Sequence, residues 1–206
     1  MMFNKKSTIV IQGDSVTDSG RMSDPQGLGY GYARMTATAL QSLYPDYELE
    51  VYNRGISGHR TGDLVKRWNK DCLDMKPDIV TILIGINDVW RRFDSNNSTS
   101  VEVYTENYEK LMKSVKDIGA KLIIIEPFAL RAGSVSDLWR DDIDPKIHAT
   151  RKLAQKYADC LISADGIFAS LSLVHPPEFW AADGVHPTSE GHRIIAKEIL
   201  KALSAI

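Results

Sequence analysis

The chain has 206 residues, enough for one domain with its own core and short of the length at which cores divide. Its 43% hydrophobic and 25% charged content, with 14 glycines and 8 prolines, excludes collagen, a coiled coil or extended disorder. Twenty-five Lys and Arg against 27 Asp and Glu give a formal net charge of -2, so no overall positive field draws a polyanion and nucleic acid is not an expected partner.

The first apolar run, behind Lys5 and Lys6, ends at Ile11 and does not make the apolar segment of a secretory signal. No window approaches the roughly 18 apolar residues of a spanning helix, so no membrane partner is expected. The two cysteines, Cys72 and Cys160, lack a CxxC or His-rich context. Cytoplasmic residence with reduced thiols is the corresponding expectation.

In chain order, short β-branched runs alternate with longer segments of helical period, the pattern of a parallel sheet with crossover helices. The predicted strands are Thr8–Ile11, Leu49–Tyr52, Ile79–Ile84, Leu122–Ile125 and a weaker Cys160–Ile162. The third and fourth are apolar almost throughout, as strands covered on both faces are, and should be central. Helices are predicted from Tyr32 to Leu43, from Thr61 to Met75 and from Tyr104 to Ile118, the last stopped by Gly119. A fourth should follow Pro145, with Ile147, Leu153, Ala154 and Tyr157 inward. The last should run from Ser189 to Leu203, capped by Ser189 or Thr188. The polar stretch 94–100 reads as a solvated loop and 129–144 as a second irregular stretch. With no repeat or composition break, residues 1–206 read as a single three-layer α/β domain.

In an open parallel sheet ligands bind beyond the carboxyl ends of the strands. There stand Gly13-Asp14-Ser15, then Asn53-Arg54-Gly55-Ile56-Ser57-Gly58, then Gly85-Ile86-Asn87-Asp88; ahead of the last helix lies Asp183-Gly184-Val185-His186. A serine hydroxyl is a weak nucleophile until a base takes its proton and a third group fixes that base's tautomer. Ser15, His186 and Asp183 can fill these roles. The developing oxyanion needs aimed donors, for which the Ser15 and Gly58 amides and the Asn87 side chain are candidates. Asp14, Asp18, Asp183 and His186 offer an alternative reading as a metal cluster, but no second histidine joins them at ligand spacing, and no metal is expected.

Gly13-Asp14-Ser15-Val16, Gly58, Gly85-Ile86-Asn87-Asp88 and Asp183-Gly184-Val185-His186 together resemble the blocks of the SGNH (GDSL-type) hydrolase superfamily, in order and spacing, over residues 8 to about 200. The resemblance implies a flavodoxin-like fold with a five-stranded parallel sheet, catalytic Ser15, Asp183 and His186, an oxyanion hole of Ser15, Gly58 and Asn87, and no cofactor. Asp18-Ser19-Gly20-Arg21, Gly55-Ile56-Ser57-Gly58 and Ile84-Gly85-Ile86-Asn87-Asp88-Val89-Trp90-Arg91 more narrowly resemble bacterial intracellular acetylxylan esterases. That implies a serine esterase removing acetyl groups from xylo-oligosaccharides or related carbohydrates, and a homo-oligomer, since several members of that group form rings. A lysophospholipase or thioesterase on the same scaffold is the alternative, and a non-catalytic carbohydrate-binding module the remoter one. Trp90 and Trp180 flank the candidate site and are expected to bind substrate; Phe179 lies beside them. Arg91, Arg92, Trp139 and Arg140 are of the types enriched at subunit contacts.

Overall fold

A computed structural model describes residues 1–206. Five strands, β1 (Thr8–Gly13), β2 (Glu50–Gly55), β3 (Ile79–Leu83), β4 (Lys121–Ile125) and β5 (Cys160–Ile162), form one sheet in the order β2-β1-β3-β4-β5. Every pairing is parallel; Gly13 stands beside Gly55 on one side and Leu83 on the other. The expected three-layer, flavodoxin-like arrangement is therefore present, and its strand order reverses between β1 and β3, where such sheets open a crevice at their carboxyl edge.

Side chains alternate across a strand, so each central strand feeds two cores. Ile9, Ile11, Ile79, Leu83, Ile123 and Ile125 face the helices α2 (Tyr32–Leu43) and α9 (Ser189–Ala202), burying Leu40, Ile195 and Ile199. Val10, Val80, Ile82, Leu122 and Ile124 face α3 (Thr61–Asp71) and α5 (Val101–Asp117), against Leu64, Trp68, Tyr108 and Met112. The Thr188 hydroxyl accepts from the Gly191 amide at 3.3 Å and Ser100 from Val103 at 3.3 Å, satisfying amides the helix starts would otherwise leave unpaired. Gly119, at φ +77°, stops α5 as expected.

Several boundaries differ from the sequence expectation. The second strand runs on to Gly55, because polar Asn53 and Arg54 belong to its ladder. The helix from Thr61 ends at Asp71 and gives way to a 3-10 turn, Leu73–Met75. Helix α6 (Arg140–Tyr157) begins before Pro145 and passes through it, since Trp139 and Ile143 anchor its first turn in a buried cluster with Ile86, Val89 and Val185. Trp139 is thus a core residue with 2% exposure, stacked on Phe93, and not a residue available to a subunit contact. Arg140 forms a two-pronged pair with Asp165. Four helices complete the fold: α1 (Ser15–Asp18), α4 (Ile86–Ser95), α7 (Ala164–Leu171) and α8 (Pro177–Trp180). No helix is long and apolar enough to cross a membrane.

Candidate active site

Strands β1, β2 and β3 each deliver a polar segment to the same rim. Leaving β1, the chain turns at Asp14, whose carboxylate accepts the Val16 amide at 3.0 Å and so starts α1 with Ser15 as its first residue. Leaving β2, it makes a tight turn closed by the His59 amide on the Ile56 carbonyl at 3.2 Å. Gly58 is the third residue of that turn with φ +82°, where a side chain is disfavoured. Leaving β3, Gly85 leads into α4, whose first turn carries Asn87 and Asp88. The Asp88 carboxylate accepts both the amide and the hydroxyl of Thr61, at 3.0 and 2.8 Å, tying α4 to the start of α3.

The fourth segment is the turn before α9. Asp183 Oδ1 accepts the amides of Val185 and His186 at 2.9 and 2.7 Å, which curls the carboxylate back toward the imidazole three residues on. Its other oxygen, Oδ2, lies 2.6 Å from His186 Nδ1, and His186 Nε2 lies 2.9 Å from Ser15 Oγ. Hydroxyl, imidazole and carboxylate from opposite ends of the sequence therefore form one hydrogen-bonded line. Partial burial alone would raise the Asp183 carboxyl, but the His186 ring and the two amides outweigh it and hold it below its ordinary value. It remains an anion facing Nδ1, which favours a proton there and leaves Nε2 free to accept.

The chain belongs to the GDSL-like lipase/acylhydrolase family. The family's sequence profile matches residues 11–194. An acetylxylan esterase of Geobacillus stearothermophilus is 32% identical, the match covering 98% of this chain and 96% of the relative. An arylesterase of Vibrio mimicus is 28% identical over 85% of this chain and 86% of its own. Among solved structures, an alpha/beta hydrolase enzyme from the metagenome of Lake Arreo, Spain, superposes with a TM-score of 0.90 at 31% identity, covering 99% of this chain and 98% of the other. A catalytic mutant of the Geobacillus acetylxylan esterase also gives 0.90, at 30% identity, over 98% and 96%. As a member of this family the chain is a carboxylic ester hydrolase.

The GDSL segments also gather the candidate oxyanion donors. The Asn87 side chain is buried and donates from Nδ2 to the His59 carbonyl at 3.1 Å, so it reaches across to the turn that carries Gly58. Of the two tryptophans, Trp90 stands beside His186, with ring centroids 5.7 Å apart, and leans on Trp139. Trp180 is 6% exposed and packs edge-on to Phe179 and His175; its backbone carbonyl takes the Thr188 amide and hydroxyl. The Trp180 ring thus packs into the corner that leads from the His186 turn into α9. The four groups considered for a metal are separately engaged: Asp14 at α1, Asp18 by Ser57 at 2.6 Å, and Asp183 and His186 by each other.

Three further contributors lie outside the catalytic and binding candidates that the sequence offers. Arg67, on α3, braces the rim by donating to the carbonyls of Gly13 and Arg54 and to His59 Nδ1. His192, on α9, accepts the Tyr32 amide at 3.2 Å and is held neutral, burial and then the nearby His186 lowering it to about 4. Arg91 touches Asn87 directly, donating from Nη2 to Oδ1 at 3.3 Å.

Proposed function

We propose that this chain is a serine esterase that removes acetyl groups from acetylated xylo-oligosaccharides or closely related carbohydrates through an acyl-enzyme. The observation that carries the reading is the line Ser15–His186–Asp183, with both hydrogen bonds at 2.9 Å or less. In this reaction His186 Nε2 takes the Ser15 proton as Oγ attacks the ester carbonyl carbon. The Ser15 and Gly58 amides and the second Asn87 Nδ2 hydrogen meet the resulting oxyanion. As the carbon–oxygen bond breaks, His186 protonates the leaving sugar oxygen, and water, activated by the same imidazole, releases acetate and regenerates Ser15.

Two features support a short acyl group on a polar alcohol. The cavity that reaches Gly58 is lined by Val103 as its single apolar residue, an environment that favours hydroxyl-rich groups over a fatty chain. On the His186 side, the Trp90 ring stands beside the imidazole and packs edge-on against buried Trp139, offering an aromatic surface next to the proposed ester position. The likeness to an acetylxylan esterase over nearly the full length of both chains points to the same substrate class.

The test is acetate release from acetylated xylo-oligosaccharides by the wild type and by Ser15→Ala, with acetyl and octanoyl aryl esters compared alongside. Acetate release and acetyl preference in the wild type, with turnover abolished in a folded Ser15→Ala, are the expected results. A preference for octanoyl would favour a lipid ester, and an active Ser15→Ala would remove the nucleophile.

A further inference from the structure

Beyond the oxyanion-hole candidate Gly58 lies an open cavity of about 470 Å³ between the start of α3, the end of α4 and the loop leading to α5. Its wall carries Arg60, Lys66 and Arg91 against Asp63 and Asp88. These charges are not equally free. Lys66 pairs with Asp63 at 2.9 Å, and Arg91 pairs with Asp94. Asp88 is buried and turned inward onto Thr61. Arg60 alone of the three cations has no carboxylate partner, since Asp88 spends both its oxygens on Thr61.

The way Arg60 is held matters as much as its charge. Its backbone caps α3, with its amide donating to Asp63 at 3.2 Å, so the residue is fixed where the cavity begins. Its side-chain bonds run from Nη1 alone, at 3.3 Å to Asn97 Oδ1 and 3.4 Å to the Thr99 hydroxyl, both long and both to neutral acceptors. The edge made by Nε and Nη2, which can grip a carboxylate with two parallel hydrogen bonds, is unused by the protein. Asn107 on the same wall adds a side-chain amide that can exchange hydrogen bonds with hydroxyls.

We propose that this cavity is a subsite for a carboxylate-bearing sugar: Arg60 receives the carboxylate of a uronic acid unit attached to the acetylated substrate, while Asn97, Thr99 and Asn107 receive its hydroxyls. The assignment rests on the ester-hydrolase reading, because Gly58 links this cavity to the reacting ester. It extends that reading from acetylated carbohydrates in general to acidic ones, and gives Arg60 a specificity role without a part in bond making.

Two measurements separate this subsite from the substrate reading itself. In the first, kcat/KM for acetate release is compared between neutral acetylated xylo-oligosaccharides and the same oligosaccharides bearing a glucuronic acid branch. The wild type should favour the acidic substrate about five- to tenfold, a preference that shrinks with added salt and disappears in Arg60→Gln. In the second, free glucuronate and glucose compete with 4-nitrophenyl acetate; glucuronate should inhibit at several-fold lower concentration, and Arg60→Gln should equalise the two. Equal kcat/KM for the two oligosaccharides, equal inhibition in the wild type, or a preference unchanged in Arg60→Gln would overturn the subsite. Failure to release acetate from either oligosaccharide, with glucuronate still inhibiting through Arg60, would overturn the xylo-oligosaccharide reading and leave the anionic subsite standing.

Discussion

Arg91 stands one turn along α4 from Asn87 and donates to its Oδ1, so the amide can face the proposed oxyanion only with its nitrogen. The assignment follows from chemistry: a guanidinium has no acceptor, so it must meet the oxygen, and the His59 carbonyl must meet Nδ2. One Nδ2 hydrogen is spent on His59 and the other is left to donate. Asn87→Ala should therefore lower kcat on an aryl acetate by on the order of 10²–10³. Arg91→Ala, which leaves the donor in place but loosens its aim, should lower kcat several-fold with little change in KM, as expected for an interaction realised in the transition state. A rise in KM at constant kcat in Arg91→Ala would assign Arg91 to ground-state binding instead.

Asp183 offers a sharper test of the proposed proton path, because its two oxygens have different jobs. In Asp183→Asn the backbone amides of Val185 and His186 retain the side-chain oxygen and thereby direct the new NH2 at His186 Nδ1. Nδ1 must then accept, the ring proton moves to Nε2, and Nε2 can no longer take a proton from Ser15. The expected fall in kcat is on the order of 10³–10⁴-fold with the circular dichroism spectrum unchanged. Activity within tenfold of the wild type would mean that His186 does not need this carboxylate to act as base.

What the sequence disclosed followed from how strongly each feature is encoded locally. β1, β3 and β4 are β-branched runs while β2 and β5 carry one β-branched residue each, and Asp183 and His186 lie close enough in sequence for one turn to join them. Helix α4 was not legible as a helix, because Ile86–Ser95 is short and its buried residues, Ile86 through Val89, are consecutive and half polar. Arg91's place beside Asn87 depends on that helix and was hidden with it. Trp180 and Trp139 were readable as large aromatics near the site, but their direction is set by tertiary packing, which turned both inward. Arg60 gave no signal either, since an unpaired guanidinium is defined by the carboxylates that other segments fail to supply.

Gly184 sits between Asp183 and Val185 with φ +86°, and a Cβ there would collide with the carbonyl oxygens of Leu130 and Ala132. Both obstacles are backbone, and Leu130 also donates its amide to the Gly184 carbonyl at 2.8 Å, so the two strands of loop cannot separate cheaply. Gly184→Ala should cost about 2–4 kcal/mol from strain and overpacking. Because the displaced turn carries Asp183 and His186, kcat should fall together with the melting temperature. A variant with wild-type kcat and lowered stability would show that the turn absorbs the shift elsewhere.

Asp14 gives the protein a pH-dependent stability that can be isolated. Burial raises its carboxyl from the ordinary 3.8 to about 7, against the opposing hydrogen bond from Val16 and the nearby His186. With the folded-state value above the unfolded one, the native protein holds a proton that the unfolded chain has released between these two values. Stability is therefore fully present below about pH 4 as far as this group is concerned, and is lost as pH rises toward 7, by up to about 4 kcal/mol. Asp14→Asn, which keeps an oxygen to accept the Val16 amide but cannot ionise, should remove that loss. Denaturant midpoints measured from pH 4 to 8 should show the variant gaining on the wild type as pH rises and the difference levelling off above 7. A constant difference across the range would mean that Asp14 ionises in the folded protein no later than in the unfolded chain.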